Sequence, residues 1–318
     1  MCSLHRCALT FVISDRRESD WANFKKDKRK VKILLFGSNG QLGSELQRTL
    51  LPLGEVSPFD IHNLNLENMQ AVRETIRKVL PNVIVNASAY TAVDRAESEA
   101  EKAFTVNGDI PGLFAKEASK LKAFLVHYST DYVFDGTKGT LYLESDETAP
   151  LSVYGKSKLA GEQAIRAQDA NYLILRTSWV YSMSRSSFVT KVLEWARKQE
   201  ILSVVSDQVS NPTWARTLAE VTAQLLSKGI DCLSEHSGLY HVAGNGFASR
   251  LDWAKKIIEL DPNKQEQRVR EIVPALTSDF PTPAQRPLFS ALDCSLFQST
   301  FDISLPAWED ALRQAMTE

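Results

Sequence analysis

Two side chains able to take part in one proton transfer lie four residues apart near the middle of the chain. Tyr154 and Lys158 form a YxxxK pair, and a helix places residues at this spacing on one face, a single turn apart. A free phenol has a pKa of about 10, and a neighbouring ammonium group lowers that pKa by favouring the phenolate. We therefore predict that Tyr154 is a general acid that protonates a carbonyl oxygen, while Lys158 lowers its pKa and holds a cofactor ribose. Because any long chain offers such a pair by chance, an ordinary exposed helix face is the alternative.

A second group of polar side chains follows a strand that we predict over residues 123–128, namely Ser129, Thr130 and Asp131. Ligands of α/β proteins bind at the carboxyl ends of parallel strands, so a substrate would lie beside these side chains. We predict that the Thr130 hydroxyl donates a hydrogen bond to the substrate carbonyl. This context favours a catalytic role for the YxxxK pair over a chance occurrence.

A glycine motif lies between the first predicted strand, 31–36, and the first predicted helix. Gly37, Gly40 and Gly43 form the pattern GxxGxxG. Glycine permits a tight turn and lets the backbone approach a pyrophosphate, whose charge then rests on the N–H groups of the helix N-terminus. Although a glycine cluster can be no more than a loop, its position between strand and helix predicts a dinucleotide-binding site.

An acidic residue, Asp60, follows the second predicted strand about twenty residues beyond this loop. A carboxylate at that position can accept hydrogen bonds from the ribose hydroxyls of adenosine, which favours NADH. No Arg or Lys follows Asp60 closely enough to suggest a clamp for a 2′-phosphate. An ordinary surface Asp in a turn is the alternative.

The elements that must position these residues alternate between short apolar runs and helical periodicity from Val31 onward. This pattern predicts an α/β fold, a Rossmann-type doubly wound parallel sheet, with a smaller C-terminal substrate-binding lobe. We predict a dinucleotide-binding domain over 31–177, to which residues 201–230 return, and a lobe formed mostly by 178–318. Residues 1–30 lie outside the pattern and are predicted to be a disordered extension.

The composition excludes several classes of function. Of the 318 residues 43% are hydrophobic and 24% charged, with a net charge of −2, as in ordinary globular proteins. Without a basic excess no nucleic-acid partner is indicated, and no apolar run approaches the ~18 residues of a membrane span. We therefore predict a cytoplasmic protein with a small-molecule ligand. None of the four cysteines or five histidines has metal-ligand spacing, so no metal is assigned.

Three motifs make a resemblance specific. STDYVFDG at 129–136, YGKSKLAGE at 154–162 and RTSWVY at 176–181 follow one another as in dTDP-4-dehydrorhamnose reductases. The chain resembles this family of extended short-chain dehydrogenases/reductases from about Val31 to its C-terminus. The resemblance implies reduction of the 4-keto group of dTDP-4-dehydro-β-L-rhamnose by NADPH or NADH, giving dTDP-β-L-rhamnose for cell-surface polysaccharide.

The resemblance also implies roles for individual residues. Thr130, Tyr154 and Lys158 would be catalytic, and Thr130, Asp131 and Trp179 would lie near the dTDP-sugar. The residues expected to bind the cofactor, from the glycine motif or the resemblance, are Gly37, Gly40, Gln41, Leu42, Gly43, Asp60, Ala89, Tyr90, Thr91, Tyr154 and Lys158.

The sequence departs from the family pattern at two positions. Ser210 stands where the family motif DQxGxPT has glycine, and a shift of the backbone turn is expected there. Phe289 stands where the segment RPxNS has asparagine, so the identity of the sugar is less secure. Some family members bind magnesium around the acid that corresponds to Glu45, but the helix dipole also favours Glu early in a helix. We leave magnesium unassigned.

Two other functions fit the same sequence pattern. One is an epimerase or another nucleotide-sugar reductase on this scaffold. The other is a non-catalytic subunit like the regulatory partner of methionine adenosyltransferase, which shares the fold and binds a dinucleotide. The co-occurrence of Thr130, Tyr154 and Lys158 favours an enzyme. The sequence is compatible with a homodimer but does not determine the oligomeric state.

Overall fold

The first apolar run of the chain forms a strand that is buried on both sides. In the computed structural model, which describes residues 31–317, Ile33 and Leu35 pack into one hydrophobic cluster and Leu34 and Phe36 into another. Burial on both faces is typical of a parallel sheet that is covered by helices on each side. The strands are β1 (Val31–Phe36), β2 (Gly54–Phe59), β3 (Val83–Asn86), β4 (Phe124–Thr130), β5 (Asn171–Thr177), β6 (Val180–Tyr181), β7 (Ile201–Val205), β8 (Val209–Ser210), β9 (Thr213–Trp214), β10 (Gly238–His241), β11 (Ala248–Ser249) and β12 (Glu271–Ala275).

Six of these strands form the central sheet of the described residues, in the order β10-β5-β4-β3-β1-β2. Every neighbouring pair is parallel. The chain runs from β1 outward to β2 and then crosses to β3 on the other side of β1. The carboxyl ends of β1 and β3 therefore border the switch point at which doubly wound sheets bind ligands. The predicted fold class is confirmed.

The helices cover the sheet through apolar stripes. Leu42, Leu46 and Leu50 recur at helical spacing and are buried against the sheet, as the periodicity predicts. The helices are α1 (Gln41–Leu50), α2 (Met69–Val79), α3 (Val93–Ala96), α4 (Ala100–Phe104), α5 (Ile110–Leu121), α6 (Val153–Arg166), α7 (Phe188–Lys198), α8 (Ala215–Ser227), α9 (Ile230–Ser234), α10 (Arg250–Leu260), α11 (Ser295–Phe301) and α12 (Trp308–Ala315).

The helical segment from Ala100 to Leu121 is not a single regular helix. A π-helical turn, Thr105–Asp109, joins α4 to α5. Such turns insert one residue into the hydrogen-bond ladder and are frequent at functional sites. This one directs the Asn107 side chain toward the cavity-lining segment after β3, where its amide oxygen accepts a hydrogen bond from the Tyr90 N–H at 2.8 Å.

The C-terminal part of the chain contributes three two-stranded pairings, β7 with β12, β8 with β11 and β6 with β9. A separate hydrophobic cluster around Trp253 lies among these strands and α7, α10 and α12. Residues 201–230 were expected to return to the dinucleotide-binding domain, and the first part of this segment, β7, pairs with β12 outside the central sheet. The returning segment runs instead from α8, which packs in the same cluster as α1, to β10, which pairs with β5.

The described residues cluster as one compact unit, so a division into two domains stays a proposal. None of the helices between Val31 and Thr317 combines the length and the apolarity needed to cross a bilayer. The predicted disordered extension, residues 1–30, lies outside the described residues.

Candidate active site

A cavity of about 800 Å³ opens at the carboxyl ends of the central strands. It extends from the glycine loop and the end of β2 to the residues after β4 and β5. The residues expected from the sequence to bind cofactor or substrate all line it except Gly43, namely Gly37, Gly40, Gln41, Leu42, Asp60, Ala89, Tyr90, Thr91, Thr130, Asp131, Tyr154, Lys158 and Trp179. The tertiary structure thus brings together motifs that are separated by up to about 140 residues of chain.

At the glycine loop, backbone atoms rather than side chains line this cavity. Gly37 has a φ of +78°, and a Cβ there would lie 2.5 Å from the Ser88 amide nitrogen. Gly43 supports the loop from behind, since a Cβ on it would lie 1.9 Å from the Gly37 carbonyl oxygen. Only a glycine fits either position, because a side chain would clash with the backbone after β3 at Gly37 and with the loop itself at Gly43.

The N-terminus of α1 has the properties of a pyrophosphate site. No side chain caps its first turn, which begins after Gly40. The Gln41 Oε1 atom is buried and has no hydrogen-bond partner, although it belongs to a residue that lines the cavity. Free N–H groups at the positive end of a helix and an unpartnered polar atom fit a bound dinucleotide.

One end of the cavity lies beyond β2, at Asp60. The half-buried Asp60 carboxylate accepts a hydrogen bond from the His62 N–H at 2.8 Å. A cation that sequence reasoning missed, Lys102 of α4, also lines the cavity, and its amino group lies 3.2 Å from the Glu67 carboxylate. No local signal could have indicated Lys102, because it is 42 residues from Asp60 and only the fold places both on one cavity.

The YxxxK pair lies on α6, as the spacing predicts. Ser152 caps this helix by accepting a hydrogen bond from the Gly155 N–H at 3.2 Å. Tyr154 and Lys158 both line the cavity, and the Lys158 amino group donates a hydrogen bond to the Tyr128 carbonyl oxygen at 2.6 Å. Burial lowers the pKa of Lys158 to about 8, because the charged form loses its hydration.

The predicted lowering of the Tyr154 pKa is wrong for this structure. Burial of the phenol raises its pKa, and a hydrogen bond with Thr130 offsets only part of that effect. Lys158 does not shift the Tyr154 pKa, since its amino group is directed to the Tyr128 carbonyl instead. Tyr154 therefore keeps its proton at neutral pH, and the proton remains available for donation.

Thr130 forms hydrogen bonds with both Tyr154 and the buried carboxylate of Asp131. Its hydroxyl oxygen accepts from the Tyr132 N–H at 3.1 Å, and its proton is donated to Asp131 at 3.1 Å or shared with Tyr154. Because a hydroxyl has one proton and two lone pairs, it can redirect that proton when a substrate oxygen arrives.

Asp131 lies in a cluster of hydroxyls that sequence reasoning did not foresee. Its carboxylate accepts hydrogen bonds from Ser290 at 2.5 Å and from Ser210 at 3.0 Å, and the side chain is buried. Burial raises its pKa to about 6, although these hydrogen bonds oppose the rise. Ser210, noted as a departure from the family motif, thus contacts a residue that is expected to bind the substrate.

Trp179, like Asp131 and Tyr154, lines both this cavity and a smaller one of about 290 Å³. Trp179 has a φ of +41°, which is rare for a bulky residue. The guanidinium carbon of Arg250, the first residue of α10, lies 3.6 Å from the centre of the Trp179 ring. Burial lowers the pKa of Arg250 to about 10. Among residues 31–317 no carboxylate forms an ion pair with this guanidinium, so its charge faces the cavity without a full counter-ion.

Glu45, the acid considered for magnesium, pairs with two guanidinium groups, those of Arg48 and Arg216, at 3.3 Å each. Across the part of the chain that the structure describes, no group of three or more His, Cys, Asp or Glu side chains is arranged to hold a metal ion. Magnesium remains unassigned.

The comparisons with known proteins agree with the geometry. A family model described as the RmlD substrate binding domain matches residues 31–318. The chain belongs to this family.

Several of its relatives carry the same activity in their names. The dTDP-4-dehydrorhamnose reductase of Salmonella typhimurium is 42% identical over 299 residues, which cover 91% of this chain and 98% of that protein. The Escherichia coli K12 protein of the same name is 41% identical over the same shares. The crystal structure of the Bacillus anthracis dTDP-4-dehydrorhamnose reductase in complex with NADP superposes with a TM-score of 0.83 at 32% identity, covering 91% of this chain and 99% of that one. The resemblance inferred from the motifs is confirmed.

Proposed function

We propose that the protein reduces the 4-keto group of dTDP-4-dehydro-β-L-rhamnose to dTDP-β-L-rhamnose with NADPH or NADH, in the synthesis of cell-surface polysaccharide. The observation that carries this proposal is that Thr130, Tyr154 and Lys158 line the same cavity as the glycine loop. Relatives at about 40% identity over most of the chain are named for this reaction.

The three residues have complementary tasks in such a reduction. A bound nicotinamide would supply the hydride. Tyr154 would donate its proton to the substrate oxygen, and its raised pKa ensures that the proton is present when the substrate binds. Thr130 would turn its hydroxyl from Asp131 toward the same oxygen and orient it. Lys158 would hold the ribose by donating hydrogen bonds from its ammonium group to the ribose hydroxyls.

The smaller cavity suits the nucleotide part of the substrate. Arg250 presents a buried cation there, and a diphosphate supplies the anionic oxygens that a guanidinium binds in two-pronged geometry. Trp179 stacks against this cation and also lines the cavity that contains the catalytic residues. We assign Asp131 and Trp179 to the sugar and Arg250 to the diphosphate.

The choice of cofactor depends on the end of the cavity at Asp60. The Asp60 carboxylate favours a free ribose hydroxyl, as in NADH. Lys102 lines the same cavity and pairs with Glu67, but an ammonium has three donors and can also bind a phosphate, as in NADPH. We therefore propose that the enzyme accepts both cofactors.

We propose a cytoplasmic location, where a reductase has access to reduced nicotinamide cofactors. A homodimer is the alternative to a monomer, and every residue with an assigned role lies within one chain, so either state would contain a complete site. Sedimentation of the full chain distinguishes the two states.

The deciding experiment follows the loss of reduced nicotinamide absorbance with dTDP-4-dehydro-L-rhamnose generated in situ, in parallel for NADPH and NADH. Formation of dTDP-rhamnose supports the proposal and ranks the cofactors. Dinucleotide binding without turnover of this substrate contradicts it, and favours either another keto-sugar or the regulatory-subunit function. Interconversion of sugar epimers without net oxidation of cofactor would favour an epimerase.

A further inference from the structure

A buried histidine that does not line the cavity contacts the catalytic lysine. His127 lies in β4, and its Nε2 atom is 3.4 Å from the Lys158 amino nitrogen. The side chain is fully buried and does not line the cavity. The reduction described above gives His127 no task, yet it is a titratable group in contact with Lys158.

The other ring nitrogen of His127 contacts Asn86, its partner in the register of β3 and β4. Asn86 Nδ2 lies 2.9 Å from His127 Nδ1. The orientation of the Asn86 amide is determined by Ser88, whose backbone N–H and hydroxyl both donate to Asn86 Oδ1, at 3.1 and 2.5 Å. A backbone N–H cannot accept a hydrogen bond, so the atom that it contacts must be the amide oxygen. The Asn86 NH₂ group therefore faces the histidine.

This contact determines which nitrogen of His127 carries the proton. An amide NH₂ only donates, so His127 Nδ1 must be the unprotonated acceptor. Burial and the nearby Lys158 charge hold the pKa of His127 well below its usual value, so the ring is neutral and has one proton. That proton lies on Nε2, the atom that faces Lys158.

We infer that Asn86 and His127 are positioning residues for Lys158, because Asn86 selects the His127 tautomer that turns an N–H group, rather than a lone pair, toward the Lys158 amino group. An ammonium has three donors and no acceptor, so it cannot bond to this N–H, whereas a neutral amine can. The contact therefore opposes the charged form of Lys158 and leaves the Tyr128 carbonyl, at 2.6 Å, as the acceptor for the ammonium.

The other charged and titratable groups around Lys158 do not remove this effect. Glu162, one turn further along α6, favours the charged form, but its carboxylate is already paired with Arg176 of β5 at 2.7 Å. Tyr154 keeps its proton and is neutral. Burial lowers the pKa of Lys158 to about 8, so a small change in its hydrogen bonds alters the fraction of Lys158 that is charged near neutral pH.

The tautomer can be measured in the intact protein without substrate. Long-range ¹H–¹⁵N correlation spectra distinguish a histidine with Nε2–H from one with Nδ1–H, and His127→Gln assigns the signals of His127. We expect Nε2–H for His127 at neutral pH. Another buried histidine is the control, because His241 Nδ1 faces the Tyr142 carbonyl oxygen at 3.0 Å and must carry its proton there. An Nδ1–H tautomer or an imidazolium at His127 would overturn the inference.

The effect of the His127 tautomer on turnover can be tested only if the proposed reductase activity is correct. The tautomer itself can be measured whatever reaction the protein catalyses. If the ammonium form of Lys158 supports turnover, the rate falls as pH rises through the Lys158 pKa. In His127→Gln the new amide can turn its oxygen to Lys158 and accept a hydrogen bond from the ammonium. We therefore expect the basic limb of the pH–rate profile to move up by roughly one pH unit. An unmoved limb in an active variant overturns the positioning role. Absence of all activity in the unmodified enzyme would instead contradict the proposed function and leave the spectral test to decide the tautomer.

Discussion

Replacing Asp131 with asparagine should stabilise the substrate-free protein at neutral pH. The Asp131 carboxyl is buried beneath the hydroxyls of Ser210 and Ser290, and its pKa is raised from 3.8 to about 6. A raised pKa means that the folded protein binds the proton more tightly than the unfolded chain does. Stability from this group is therefore fully present below about pH 4 and is lost as pH rises through about 6.

The size of the expected stabilisation follows from the shift in the Asp131 pKa. Roughly two pKa units at about 1.4 kcal/mol each amount to about 3 kcal/mol of unfolding free energy that ionised Asp131 removes. Asparagine has the same shape and no charge, and its oxygen can accept from the two serine hydroxyls. Its NH₂ group must also find an acceptor among those hydroxyls, so we expect a net gain of roughly 1–3 kcal/mol for Asp131→Asn.

Denaturant unfolding of both proteins from about pH 4 to about pH 8 measures this difference. The advantage of Asp131→Asn should be near zero at the acid end, rise through pH 6 and then level off. Asp169→Asn, at an exposed position, is the matched control and should show a difference that does not change with pH. A pH-independent difference for Asp131→Asn, or one that shrinks as pH rises, would refute the reasoning about its burial. Turnover by this variant should fall, because the carboxylate lies beside Thr130.

Three further predictions concern the proposed reaction. Tyr154→Phe removes the proton donor, so kcat should fall by about 100-fold or more while the dissociation constant of the dinucleotide stays the same; retained turnover would show that another group is the acid. Asp60→Ala removes the carboxylate proposed to bind the ribose hydroxyls, so any preference for NADH should narrow. An unchanged ratio of kcat/KM for the two cofactors would exclude this role of Asp60. Arg250→Ala should lower kcat/KM for the dTDP-sugar by roughly 10- to 100-fold, mainly through KM, with partial recovery in Arg250→Lys. Surface Arg313→Ala is its control, and equal effects of the two alanine variants would argue against a diphosphate contact.

Local patterns in the sequence were sufficient for the catalytic helix and the glycine loop. Tyr154 and Lys158 share a face of α6 because helical geometry fixes the spacing of residues i and i+4. The loop from Gly37 to Gly43 follows a strand and opens a helix because the glycines permit backbone that other residues cannot adopt. Such features depend only on neighbours in the chain.

The partners of these residues could not be predicted in the same way. Ser290 lies 159 residues from Asp131, and Arg250 lies 71 residues from Trp179, so only the packing of the C-terminal segments onto the sheet brings each pair together. The place of β10 in the central sheet could not be predicted for the same reason. Its pairing with β5 depends on the order of the strands and not on the residue pattern of β10 itself.

The sequence by itself therefore determined the fold class, the cofactor loop and the catalytic pair, because periodicity and glycine spacing act over a few residues. Only the tertiary structure decided the charges at the site. The pKa of Tyr154 is raised rather than lowered because the phenol is buried, and the Lys158 amino group bonds to the Tyr128 carbonyl oxygen. Burial and long-range contacts set how much hydration each ionised group loses, and no spacing of residues along the chain specifies that.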